Sequence, residues 1–282
     1  MAKKRKKAKR DKGRGKWRTR AQSADKYELY EKSVQQPKED AALVARIYKQ
    51  HYSREARTLR EDFCGTAAFA CEWVKRNADN CAWAVDLDPE PLGWGREHHL
   101  ADLGASQVER VTLTQGDVLD VRHEPVDVTV AFNFSYFLFR TRDELRNYFE
   151  VARKTLATEG LLVLDAYGGA DAQRCQAEKR SVDGFTYVWD QNAFDPIDHS
   201  VTNFIHFEFP DGSKLRKAFR YDWRLWTIPE IRETLGEAGF RETDVYWEGT
   251  DRETGEGNGI FRRCDKAPED PAWICYISAF LK

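Results

Sequence analysis

The chain has 282 residues, 41% hydrophobic and 13% aromatic, enough to bury roughly three quarters of its unfolded surface without covalent staples. Six cysteines at 64, 71, 81, 175, 264 and 275 form no CxxC pair and no His-rich spacing. That pattern offers no zinc site and fits a reducing, cytoplasmic setting. No run of about 18 apolar residues marks a membrane span.

The net charge of −2 hides an asymmetry. Residues 1–20, "MAKKRKKAKRDKGRGKWRTR", hold twelve basic residues and one acidic, a local +11, and the other 262 residues carry −13. Such a segment has little apolar surface to bury, so residues 1–22 are expected to form a disordered basic tail. It suits contact with RNA or DNA through counterion release, or simple solvation. The acidic remainder argues against a broad nucleic-acid surface on the domain.

From residue 23 onward the chain reads as one domain. "SADKYELYEKSVQQP" predicts a short helix, and "KEDAALVARIYKQHY" an amphipathic one with Ala41, Val44, Ile47 and Tyr48 on its apolar face. Strand-like runs then alternate with helical patterns. "ARTLREDF", "CAWAVDLD", "VTLTQGDV", "VDVTVAFNF" and "LLVLDAYG" are the strands, and "TRDELRNYFEVARKTLA" is a helix opened by a Thr141–Glu144 capping box. This rhythm predicts a doubly wound parallel α/β sheet. Residues 170–226 change grammar to strand-like runs around the turn "PDGS", which predicts a small antiparallel insertion. "TIPEIRETLGEAGF" returns to helix, and "TDVYWEG" and "AWICYISAFL" supply two last strands, paired antiparallel, for seven in all. Residues 249–271 read as a long polar loop.

Ligands of such sheets sit beyond the carboxyl ends of the strands. There, Gly65 in "EDFCGTA" lets a ligand approach the backbone at a helix start. Glu61 either receives ligand hydrogen bonds or caps that helix. Asp86 ends the second strand, where a carboxylate can accept from both hydroxyls of a ribose, while Asp88 before Pro89 reads as an N-cap. Asp117 can accept the exocyclic amine of adenine, with the Val118 N–H on a ring nitrogen. Each acid alone is consistent with an ordinary turn; three at the ends of the first three strands point to an adenosine-bearing ligand.

The order "LREDFCGTA", "AVDLDPEPL", "QGDV", "VDVTVAFNFSY", "TEGLLVLDAYG" resembles the class I S-adenosylmethionine-dependent methyltransferases over roughly residues 25–282. The resemblance implies a Rossmann-like fold, S-adenosylmethionine as cofactor and methyl transfer to an acceptor, here a small molecule or an exposed protein group. The family's first turn reads (D/E)xGxGxG. Glu61 takes the acid place and Cys64-Gly65-Thr66 match "CGT", while Phe63 and Ala67 replace the first and third glycines. By the same resemblance Asp86 holds the ribose, Leu87 lies beside the adenine, and Asp117 and Val118 bind its polar edge. Tyr27 or Tyr30 either closes over the methionine moiety or packs within its helix.

The substrate candidates are Asn133 and Tyr136 after the fourth strand, and Arg224 and His206 in the insertion, with His206 as a possible base. Arg220, Trp223 and Trp226 are further candidates for a carboxylate, a phosphate or a flat cation. Alternation also allows Arg220, Asp222 and Arg224 to form an exposed ion-paired face. The nearest small-molecule likeness is to N-methyltransferases. No triad or metal ligand set is legible, and methyl transfer requires none: the sulfonium is already activated, and alignment does most of the work. A nicotinamide oxidoreductase would want GxGxxG, and "FCGTAA" offers one glycine of three. A nucleic-acid-associated protein without catalysis is the other alternative, motivated by the tail and Phe63.

Overall fold

The computed structural model describes residues 18–251, 253 and 257–282. The expected tail contact with nucleic acid rests on residues 1–17, outside the described residues. Where composition predicts disorder through residue 22, Arg20–Ser23 form a helical turn, α1. It is capped by Thr19 and docked on a hairpin: the Arg20 N–H donates to Asp211 (2.8 Å) and the Ala21 N–H to Ser213 Oγ (3.1 Å).

Helices α2 (Lys26–Val34) and α3 (Pro37–Tyr52) precede an alternating core. Its elements are β1 (Thr58–Asp62), α4 (Ala68–Arg76), β2 (Cys81–Asp86), α5 (Pro89–Gly95), α6 (Ala105–Val108), β3 (Val111–Gln115), β4 (Val126–Ala131), α7 (Arg142–Lys154) and β5 (Leu156–Gly168). β4 is buried at every residue, the continuous apolar run expected of a parallel strand covered on both faces. The predicted caps are present: Asp88 accepts from the Glu90 N–H, and Thr141 forms its box with Glu144.

An antiparallel sheet follows, built from β6 (Gln176–Val182), β7 (Phe185–Phe194), β8 (Ser200–Glu208) and β9 (Lys214–Arg224). It is the predicted insertion, with four strands. Helix α8 (Ile228–Glu237), β10 (Glu242–Thr250), β11 (Gly257–Arg263) and β12 (Trp273–Phe280) complete the chain. The main sheet runs β11-β10-β12-β5-β4-β1-β2-β3, with β12 antiparallel to both β5 and β10. It therefore has eight strands where seven are predicted. The extra one, β11, lies inside the expected polar loop 249–271, and its exposed, glycine-bearing sequence carries no alternating apolar signal.

The second sheet stands over the carboxyl ends of the first. Its inner face meets α2 through Leu29, Phe185, Tyr187, Ile205 and Phe207, a small apolar cluster separate from the cores flanking the main sheet. None of the helices among the described residues is long and apolar enough to cross a membrane.

Candidate functional site

The turn after β1 departs from a glycine-rich loop in sequence but keeps its backbone. Phe63, Gly65 and Ala67 have φ of +57°, +55° and +59°, so all three places where the motif would carry glycine are left-handed. For Phe63 and Ala67 this costs about 1–2 kcal/mol each. The Phe63 ring offsets it by packing against Phe139 (6.1 Å) and Tyr148 (5.6 Å). At Gly65 a Cβ would meet nothing within 4 Å, so the backbone borders open space. Gly95 of α5 has the opposite reason: its Cβ would stand 2.1 Å from the Thr66 carbonyl. Phe63→Gly should therefore destabilise the fold by about 1–2 kcal/mol, since the lost packing exceeds the relieved strain. Ala67→Gly should stay within about 0.5 kcal/mol, with urea denaturation as the measurement.

Two carboxylates hold this turn. Asp86 accepts from the Gly65 N–H at 2.7 Å and the Asp88 N–H at 2.9 Å, leaving lone pairs for further donors. Glu61 is buried and accepts from the Ala70 N–H of α4 at 2.9 Å, so it does cap the helix. Burial pushes its carboxyl up to about 8. Cys64 is buried, its thiol pushed up by burial and by the neighbouring acids. Leu87 is 67% exposed at the rim, as an apolar contact for a flat ligand would be. Asp117 accepts from the Leu119 N–H at 2.9 Å, and Val118 beside it is buried.

Helix α2 straps this region. Trp94 Nε1 donates to Asp25 at 2.6 Å, and Glu31 receives Thr66 Oγ1 at 2.5 Å and His99 Nε2 at 2.7 Å. Tyr27 packs between Trp94 and Phe219, while Tyr30 meets Phe219 at 4.8 Å and hydrogen-bonds Tyr221. Tyr30, unlike Tyr27, also lines a cavity of about 1180 Å³ between the two sheets.

That cavity has an aromatic wall. Phe134, Tyr167, Trp189, Tyr221 and Trp223 form a continuous set of rings, with Tyr221 stacked on Trp223 at 4.4 Å and Phe134 against Tyr167 at 4.7 Å. Two acids also line it. Asp165, at the end of β5, accepts from the N–H groups of Asn133 (2.7 Å) and Phe134 (2.9 Å). Burial pushes it up to about 8. Asp40 of α3 accepts from Tyr276 Oη at 2.5 Å and is pushed up to about 6, again by burial. Asp40 is the link, acting electrostatically on both Glu61 and Asp165. Among the described residues, no Lys or Arg nitrogen lies within 4 Å of Glu61, Asp40 or Asp165.

Of the four sequence-predicted substrate residues, Asn133 lines the cavity. The other three are corrected by their packing. Tyr136 is fully buried and donates to the Asp165 carbonyl at 2.9 Å, a core role. Arg224 is paired with Glu230 at 2.8 Å and lies over Trp226 at 3.8 Å. His206 points to the outer face of the second sheet, because its neighbour Ile205 takes the cavity side; its Nε2 donates to Asp190 and its Nδ1 accepts from the Lys217 N–H. Arg220 pairs with Asp222 at 2.7 Å on the exposed face. Trp223 is in the wall, whereas Trp226 is buried and donates to the Phe139 carbonyl. Asp165 had a signal in its place at a strand end. Asp40 had none, being one polar residue in an amphipathic helix.

The residues around the turn fit S-adenosylmethionine: open backbone at Gly65, free acceptor capacity at Asp86, and an apolar rim at Leu87. No protein-family model matches the chain, and no curated protein is similar to it. Solved structures do match. A S-adenosylmethionine-dependent methyltransferase from Clostridium acetobutylicum aligns over 90% of this chain and 97% of its own, with TM-score 0.65 and 16% identity. CalS10, an amino pentose methyltransferase from Micromonospora echinaspora, aligns over 92% and 98%, with TM-score 0.64 and 17% identity. DesVI of Streptomyces venezuelae aligns over 91% and 97%, with TM-score 0.63 and 19% identity. Sheet order, cofactor turn and these alignments agree: the chain has the fold of the class I S-adenosylmethionine-dependent methyltransferases.

Proposed function

We propose that the chain transfers a methyl group from S-adenosylmethionine to a basic amine of a small molecule. When bound, the cofactor supplies a methyl group already activated on a sulfonium. Asp86 holds the ribose, Asp117 and the Val118 N–H meet the adenine, and Tyr30 closes the side toward the acceptor. The turn at Gly65 lies open to the cofactor's methionine end.

The observation that carries the acceptor class is the cavity itself. Asp40 and Asp165 face it with no Lys or Arg beside them, and a cation is the ligand that offsets buried negative charge. Tyr and Trp faces add attraction for an ammonium, worth about 1–2 kcal/mol when desolvated. The wall also excludes water and so favours alignment over hydrolysis. Among the structural neighbours, CalS10 is named as an amino pentose methyltransferase and KedS8 from Streptoalloteichus as a sugar N-methyltransferase.

The test is to incubate the chain with S-adenosyl-L-[methyl-³H]methionine and a panel of amino sugars and arylalkylamines, each beside its hydroxyl counterpart. Label is expected in amines and absent from the alcohols. Transfer to alcohols or carboxylates alone would reassign the acceptor, and no transfer to any member would remove the amine reading.

A further inference from the structure

One fully buried charged residue takes no part in the site described so far. Arg60, on β1, is 0% exposed. Its Nε donates to Asp62 at 2.5 Å, its Nη2 to the Val118 carbonyl at 2.7 Å, and its Nη1 to the Val121 carbonyl at 3.0 Å. The same Nη1 lies 3.1 Å from His123 Nε2. Asp62 is held from its other oxygen by Tyr148 Oη at 3.0 Å, and Tyr148 is the ring on which Phe63 packs. One guanidinium thus ties the segment that carries Asp117 and Val118 to the strand that delivers the cofactor turn.

The segment is a single turn. The Asp120 and Val121 N–H groups donate back to the Asp117 carbonyl, and Leu119 N–H to the Asp117 side chain. Drawing the Val118 and Val121 carbonyls inward onto Arg60 directs that turn's carbonyl side toward the core. Its Asp117 carboxylate and Val118 amide are left to set the adenine edge. A fork of fixed geometry does this where a flexible ammonium would not. Resting on the cofactor reading above, we propose that Arg60 is a positioning residue for the adenine-reading turn and that neutral His123 completes its grip.

The histidine's state follows from its partners. Its Nδ1 lies 2.6 Å from the Glu124 carbonyl and therefore donates, which leaves Nε2 as the acceptor for Arg60. A second proton would have to sit on Nε2, against the guanidinium. The charged groups facing His123 are Arg60 from β1 and Arg122 and Glu124 from its own loop; Trp83 of β2 stacks on the ring at 5.5 Å. Burial is the leading cause that holds the imidazole below its ordinary 6.5, with Arg60 and Arg122 acting in the same sense. The grip is thus intact at neutral pH and lost in acid.

The test is calorimetric titration of S-adenosylhomocysteine into the full chain, with S-inosylhomocysteine as the adenine-altered comparison. Arg60→Lys keeps the charge and removes the fork. It is expected to weaken S-adenosylhomocysteine by about tenfold or more and to shrink the preference over the inosyl analogue, which general destabilisation would not do. His123→Gln supplies a side-chain oxygen for Arg60 that does not titrate. It should bind as the wild type near pH 8 and lose less affinity near pH 5.5, a difference that isolates His123 from the acids of the cleft. Unchanged affinity and preference in Arg60→Lys, or an acid loss identical in wild type and His123→Gln, overturns the proposal. If Arg60→Lys does not fold, Asp62→Asn, which loosens the same fork, takes its place with the same expectation. Wild-type chain that binds neither ligand near pH 8 sinks the cofactor reading itself, a result distinct from either of these.

Discussion

Asp86→Ala should abolish measurable cofactor binding while leaving a folded chain. Asp86 is only partly buried and sits where β2 ends, two of its lone pairs already committed to the Gly65 and Asp88 N–H groups. Removing it costs twice. The turn loses its internal tie, which should lower stability by about 1–3 kcal/mol. The ribose loses two hydrogen bonds to a charged acceptor, about 1.5–3 kcal/mol each, so affinity should fall at least about 100-fold. Calorimetry with S-adenosylhomocysteine measures the second effect and urea denaturation the first. Wild-type-like affinity in a folded Asp86→Ala chain would place the ribose elsewhere.

Stability of the ligand-free chain should fall as pH rises from about 6.5 to 8.5, opposite to the usual behaviour of a carboxylate-stabilised fold. Glu61 and Asp165 are both raised to about 8 from ordinary values of 4.5 and 3.8. Groups raised in this way stabilise the fold fully below their unfolded values. That contribution drains away as the pH climbs, because the unfolded chain gives up its protons first. It is gone once the pH passes the folded values near 8. The carboxylates held low, such as Asp127 and Asp25, titrate in acid, and His123 below 6.5, so this window isolates the buried acids.

With one pKa unit worth about 1.4 kcal/mol, a loss on the order of 2 kcal/mol across the window is expected. Glu61→Gln and Asp165→Asn should each flatten the profile, read by urea denaturation at several pH values. A sulfonium near these acids favours their charged forms. S-adenosylmethionine should accordingly release more protons on binding than S-adenosylhomocysteine, as calorimetry in buffers of different ionisation enthalpy will report. Equal proton release would separate the sulfonium from the acids.

The sequence carried the strand-and-helix alternation and the turn acids because each is a local pattern. Apolar runs of one strand length, the Thr141 box and Asp88 before Pro89 depend only on neighbours along the chain. The motif around Gly65 was legible from one glycine because Glu61, Asp86 and Asp117 recur at successive strand ends. That local grammar determined the α/β class and the carboxyl-end cleft.

The left-handed backbone at Phe63 and Ala67 was decided by tertiary packing, which supplies Phe139 and Tyr148 against the ring. β11 likewise exists because β10 offers it an edge, not because its own residues favour a strand. The acceptor side was hardest to read, since strand alternation fixes two faces without saying which is covered. Once α2 and the main sheet cover one face of the insertion, Tyr221 and Trp223 turn inward, and Arg220 and His206 remain outside. Asp40, Asp165 and Arg60 act on residues far away in sequence, and only the folded chain brings their partners within reach.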